Sequence, residues 1–206
     1  MNNFPIIPVT KRATSLRRLI YGVGVNDATY LTEVKVDGKR VACPFYVKWK
    51  SMLQRSYSSL YQKKMPTYIG CKVCSEWLTF SIFRSWMASQ RWEGMQLDKD
   101  LLVDGNKTYS PEKCLFISSK LNSLLNDCGS SRGKYKQGVH FKKSHKRYGA
   151  ECSIEGKKVR LGYFKTEEEA SFAYNKFKKE HVINIAMSQS DLKLRQALLT
   201  KAKKFN

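Results

Sequence analysis

The sequence predicts an α+β chain in two modules: a strand–turn–strand–helix piece with helical additions, then a three-stranded antiparallel sheet packed on one helix. Three observations predict it. Residues 97–126 pass from an apolar run through a Gly-containing turn and a second apolar run into a helical leucine stripe. Residues 127–136, DCGSSRGKYK, are small, polar and rich in Gly and Ser, the composition of a linker. Beyond Gly138, three short strand-like stretches end at a Thr-x-x-Glu helix start.

The first 26 residues hold Lys11, Arg12, Arg17 and Arg18 and no acid. Residues 1–29 are expected as a basic N-terminal arm, either solvated or lying along a phosphate backbone. Leu31, Val34 and Val36, followed by Asp37-Gly38 and Val41, read as a hairpin with Asp-Gly as its turn. Pro44 opens a helix, since its fixed φ suits a first turn. Phe45, Trp49, Met52, Leu53 and Tyr57 recur at helical spacing and make one apolar face, with Lys48, Lys50 and Arg55 off it. Gln62 to Pro66 reads as a polar, basic turn. Cys74, Trp77, Leu78, Phe80, Phe83 and Trp86 form a second aromatic helical region, the packing partner of the first, which Gly94 ends.

Leu97 to Val103 is apolar enough for a strand, and Asp104-Gly105-Asn106 is a turn. Leu115, Phe116 and Ile117 make a second strand, entered through Ser110-Pro111. Ser118 has the hydroxyl of a helix N-cap, and Leu121, Leu124 and Leu125 supply the stripe. The module is taken as residues 30–128, with a linker over 129–136.

The second module, residues 137–183, places strands at Gly138–Lys142, Tyr148–Ile154 and Val159–Phe164, with Glu155-Gly156 turning between the last two. Thr166 caps a helix, Glu169 completes a capping box, and Ala170, Ala173, Tyr174 and Phe177 line its inner face. Alternation points Val139, Phe141, Cys152, Ile154, Val159 and Leu161 toward the helix. It turns His140, Lys142, Ser153, Lys158 and Arg160 outward. In residues 184–206, Ser190 is expected to cap a last helix with Leu194, Leu198 and Leu199 apolar, before a solvated lysine cluster.

Lys and Arg number 38 against 17 acids, a formal charge of +21. That excess points to a polyanion, and double-stranded DNA is the expected partner. No apolar run approaches the roughly 20 residues that span a bilayer, and no signal peptide opens the chain, so no membrane partner is expected and the chain is read as intracellular and soluble. Cys71 and Cys74 have C-x-x-C spacing, but the other cysteines are isolated and no His stands at finger spacing. Structural zinc is therefore not expected; reduced packing or surface cysteines are.

Two resemblances add to this reading. Residues 97–126 resemble the ββα-metal core of phage-type HNH homing endonucleases. Cys-Pro-Phe-Tyr at 43–46, Glu-Trp-Leu-x-Phe at 76–80, Leu-Asp-Lys-Asp at 97–100 and Gly-Asn-Lys-x-Tyr-Ser-Pro-Glu at 105–112 extend it over Tyr30–Asn126. The resemblance implies a catalytic group of Asp98, Lys99 and Asn122, with Asp98 and Asn122 as hard oxygen ligands for Mg²⁺, or Mn²⁺ in its place. Two positions depart from the family. Lys99 stands at the His general base and Lys113 at the central Asn. All three histidines, His140, His145 and His181, lie after Gln137. Lys99 then either acts as the base, with its pKa lowered by about three units, or holds a phosphate.

Residues from 138 resemble the APETALA-type (ethylene-responsive-factor) DNA-binding domain, which also occurs appended to phage homing endonucleases. The matching motifs are Gly-Val-x-Phe at 138–141, Tyr-x-Ala-Glu at 148–151, and Arg-Leu-Gly-x-Phe at 160–164 with Thr-x-Glu-Glu-Ala following. The resemblance implies that the sheet face enters the major groove and puts His140, Lys142, Ser153, Lys158 and Arg160 at the DNA, Ser153 replacing a family arginine. Two functions follow as expectations. One is an HNH-type endonuclease cleaving duplex DNA gripped by the C-terminal module, in the host cytoplasm if phage-encoded. The other is a non-catalytic DNA-binding protein, regulatory or protective, with a degenerate nuclease core.

Overall fold

The computed structural model describes residues 4–126 and 133–205. The chain is mixed α and β and divides into two compact units, Met1–Ile117 and Ser118–Asn206. Among the described residues no helix is long and apolar enough to cross a membrane.

In the first unit, a short α1 (Lys11–Ser15) is capped by Thr10. The stretch expected as an arm is tied to the unit: Val9 N–H donates to the Thr29 carbonyl and Leu31 N–H to that of Ile7, both at 2.9 Å. Arg17 turns inward, its guanidinium donating to the carbonyls of Asn26 (3.0 Å), Ala28 (2.7 Å) and Tyr30 (3.0 Å). One arginine thereby satisfies three loop carbonyls. β1 (Glu33–Val36) and β2 (Lys39–Ala42) form the expected hairpin, with φ of 50° at Asp37 and 76° at Gly38, the positive pair that a tight hairpin turn requires. Its alternation buries little: only Val34 is covered, while Val36 and Val41 are exposed.

α2 (Pro44–Tyr57) buries Tyr46, Trp49, Met52, Leu53 and Ser56. The buried face is turned slightly from the expected one, so Phe45 and Tyr57 lie half-buried at its borders. Arg55, expected off this face, is half-buried, its guanidinium 5.5 Å from the Tyr68 ring centre. The stretch read as a turn at Gln62–Pro66 is mostly helix, α3 (Ser59–Lys64), because Ser58 Oγ caps it through Tyr61 N–H. The second aromatic region is a 3-10 turn at Glu76–Leu78 followed by α4 (Phe80–Ala88). It packs on α2 as expected: Phe80 lies 5.5 Å from Tyr46 and 5.4 Å from Trp49, and Trp49 Nε1 donates to the Trp77 carbonyl at 2.7 Å.

β4 (Met95–Asp98) is shorter than the strand expected over 97–103. Asp98 Oδ1 accepts from the N–H of Asp100 (3.0 Å) and Leu101 (2.7 Å), which curls the chain away. The segment after it is no simple hairpin loop. It carries β5 (Thr108–Tyr109), which pairs in parallel with β3 (Lys72–Val73), before β6 (Leu115–Ser118) returns to pair with β4. Gly105 has a φ of 67° in the expected turn. α5 (Ser119–Leu125) follows with Ser118 as N-cap, as expected. Because the units divide between Ile117 and Ser118, the two strands of the strand–strand–helix piece fall largely in the first unit and its helix in the second.

In the second unit β7 (Val139–Lys142), β8 (Arg147–Ile154) and β9 (Lys157–Phe164) form an antiparallel sheet in the order β7-β8-β9. α6 (Glu167–Met187) packs on it, opened by the expected capping box of Thr166 and Glu169. Ala150, Cys152, Ala170 and Tyr174 are buried between them. Phe141, expected inside, stays exposed at the sheet rim against the Tyr148 ring at 5.1 Å. β8 and β9 slip register at Ala150/Glu151: Ala150 faces Gly162 but Glu151 faces Arg160, so Leu161 is an extra residue.

The linker expected at 129–136 lies partly outside the described residues; of the part described, Lys136 N–H donates to Glu167 Oε1 at 2.8 Å. α6 runs through residue 183, where the module was expected to end. α7 (Leu192–Ala202) is capped by Asp191, not Ser190. It packs along α6 with Ala197, Leu198 and Ala202 buried, so this segment belongs to the unit's core.

Candidate nucleic-acid interface

The sheet's outer face follows from register. On β8, Gly149 faces His140 on β7 and Tyr163 on β9, Glu151 faces Arg160, and Ser153 faces Lys158; Lys142 faces Arg147. Since Ala150 and Cys152 are buried against α6, these odd-numbered β8 positions and their partners lie on the opposite face. His140, Lys142, Ser153, Lys158 and Arg160, expected as the DNA set, thus share one face. Lys142, Ser153, Lys158 and Arg160 are exposed and His140 is half-buried.

Four further side chains shape this face. Glu151 holds two of its cations, with Oε1 3.5 Å from Arg160 Nε and Oε2 3.9 Å from Lys158 Nζ. The Arg160 guanidinium lies 5.7 Å from the Tyr163 ring centre, and His145 stacks on that ring at 5.1 Å with planes 6° apart. Arg147 adds a cation opposite Lys142 at the turn, where Lys146 takes a φ of 52°. Gly149 lets the His140 ring lie across the strand: a Cβ there would come within 2.6 Å of its Cε1 and Nε2. Strict alternation along β8 reaches Glu151. Tyr163 escapes it, because the extra Leu161 shifts the outward position after Arg160 from residue 162 to residue 163.

The nuclease-type residues are distributed differently. Asp98 and Lys99 are adjacent at the end of β4 in the first unit; Asn122 is on α5 in the second. Burial raises the Asp98 pKa, and the N–H groups of Leu101 and Asp100 offset part of that rise. Lys99 is 6% exposed, and its Nζ donates to Asp100 Oδ1 at 2.6 Å and to the Asn106 carbonyl at 2.8 Å. Asn106 closes the loop by donating from Nδ2 to the carbonyls of Lys99 (2.8 Å) and Thr108 (2.7 Å). The Lys99 amine is thereby committed to a carboxylate and a carbonyl of its own loop. Lys113 sits in a turn, its N–H donating to the Ser110 carbonyl at 3.2 Å.

Cys43, Cys71, Cys74, Cys114 and Cys152 are free thiols, and burial pushes Cys114 up to about 12. Among the described residues no group of three or more His, Cys, Asp or Glu side chains comes together to hold a metal ion. Mg²⁺ is commonly held through one or two carboxylates with water and phosphate oxygens completing the shell. On that pattern Asp98 fits as a single carboxylate ligand.

No protein-family model, curated protein or solved structure matches the chain.

Proposed function

We propose that this protein binds double-stranded DNA through the outer face of β7-β8-β9. The observation that carries the reading is the common placement of Lys142, Lys158, Arg160 and Arg147 with His140 on one face of a rigid sheet, backed by a formal charge of +21. Lysines and arginines on such a face neutralise phosphates, and an arginine fork reads guanine edges in the major groove. The APETALA-type resemblance of residues 137–183 supports the same docking. The test is a titration of duplex affinity against salt. Each phosphate contact contributes about −0.9 to the log–log slope, so a flat slope refutes the reading.

A second reading, metal-dependent cleavage of that DNA by an HNH-type core, is favoured by Asp98. Asp98 is half-buried, and both of its hydrogen bonds fall on Oδ1, leaving Oδ2 to accept from none of the described residues. In this reading Asp98 is a ligand for Mg²⁺ or Mn²⁺, and Lys99 fixes the loop. Plasmid nicking with either metal, lost in Asp98→Ala, tests it. Absence of nicking under both metals leaves a non-catalytic DNA-binding protein.

A further inference from the structure

We propose that the β1–β2 hairpin of the first unit is a second, separate DNA contact; this rests on the reading of the chain as a duplex-DNA-binding protein. From Lys35 to Val41 every residue is exposed, so the hairpin stands clear of the core and only Val34 anchors it. Register places Lys35 directly opposite Arg40, two cations side by side on one face of the ribbon. Lys39 adds a third beside the turn, against two acids, Asp37 in the turn and Glu33 at the start of β1, the latter 3.8 Å from Lys50 Nζ.

Like charges directly opposed on neighbouring strands destabilise a hairpin, and a two-stranded ribbon is marginal to begin with. Folding therefore gives no reason for this pair. Protection of open strand edges does not require it either. A Lys–Glu pair would add charge to the ribbon and gain a favourable cross-strand contact. A polyanion supplies the missing partner, since phosphates turn the repulsive pair into two attractive contacts. A two-stranded ribbon also has the width that the DNA major groove admits. The positive φ values at Asp37 and Gly38 set a tight turn that holds the ribbon ready without the partner.

The test uses the full chain carrying Lys35→Thr with Arg40→Thr, beside a second variant carrying Lys158→Ser with Arg160→Ser. Opposed threonines suit a ribbon, so the hairpin variant is expected to melt at or above the parent temperature. It is expected to lower the magnitude of the log–log salt slope by about 1.8, which is about twelvefold less affinity lost between 50 and 200 mM salt. An unchanged slope in the hairpin variant, with a reduced slope in the sheet variant, overturns this inference and leaves the sheet reading standing. A lower melting temperature in the hairpin variant also overturns it, since the pair would then be structural. If neither variant changes the slope, the DNA-binding reading itself fails.

Discussion

Replacing Lys99 by Met separates a structural role for this residue from a chemical one. The parent side chain is almost wholly buried and donates to two oxygens, Asp100 Oδ1 at 2.6 Å and the Asn106 carbonyl at 2.8 Å. Methionine fills nearly the same volume, so little of the expected loss comes from a cavity. Asp100 is half exposed, with 54% of its side chain accessible, so water takes over its freed carboxylate and that bond is worth at most about 1 kcal/mol. The Asn106 carbonyl has no such relief. An orphaned buried acceptor costs about 1–3 kcal/mol, so the expected destabilisation is about 1–4 kcal/mol in total. Asp100→Ala should cost less than about 1 kcal/mol, because Lys99 keeps its carbonyl partner. Urea unfolding of the two full-length variants against the parent measures both. The reasoning is refuted if Lys99→Met costs under about 0.5 kcal/mol or no more than Asp100→Ala. If Lys99→Met unfolds like the parent and loses only DNA cleavage, Lys99 acts as the base.

Burial raises the Asp98 pKa in the folded state, so the fold holds that proton more tightly than the unfolded chain does. Ionisation then opposes folding: stability contributed by the protonated form is lost as pH rises through the carboxylate range. Asp98→Asn keeps an Oδ1 acceptor for both N–H groups and removes the charge, so urea midpoints should rise at neutral pH and converge with the parent in acid. A lower midpoint at neutral pH refutes this. Gly138→Ala combines a φ of 74° with a Cβ driven into the Tyr174 ring, and should destabilise the second unit by about 2–4 kcal/mol. Gly156→Ala, at a φ of 81° but in open space, should cost only about 1–2 kcal/mol, and equal losses in thermal melts would contradict the packing argument. Glu151→Gln removes the carboxylate that meets Lys158 and Arg160 on the cationic sheet face. It should steepen the DNA salt slope by about 0.9, with less than about 1 kcal/mol lost from stability, and an unchanged slope would count against DNA lying on that face.

Local signals carried most of the second unit and the caps of the first. Asp37-Gly38 gave a hairpin because few sequences tolerate two positive φ values in a row. Thr166 with Glu169 gave a helix start because both hydrogen bonds of a capping box are made within four residues. Ser118 gave the next cap by the same short-range chemistry. The outward set His140, Lys142, Ser153, Lys158 and Arg160 followed from a period of two.

What depended on distant partners was not legible. β5 leaves the expected hairpin to pair with β3, a choice made by a strand some thirty-five residues earlier. α7 lies on α6, so residues read as a tail complete a core. Tyr163 turned outward because register slips by one residue at Leu161, and alternation cannot register an inserted residue. Lys99 shows the same limit for the site. Its letter alone allowed a base or a phosphate holder, and only the fold supplied the Asp100 carboxylate and Asn106 carbonyl that its Nζ meets. Backbone dihedrals and caps are settled within a few residues of chain, whereas strand pairing, burial and the partners of a charge are settled by whatever the fold brings alongside.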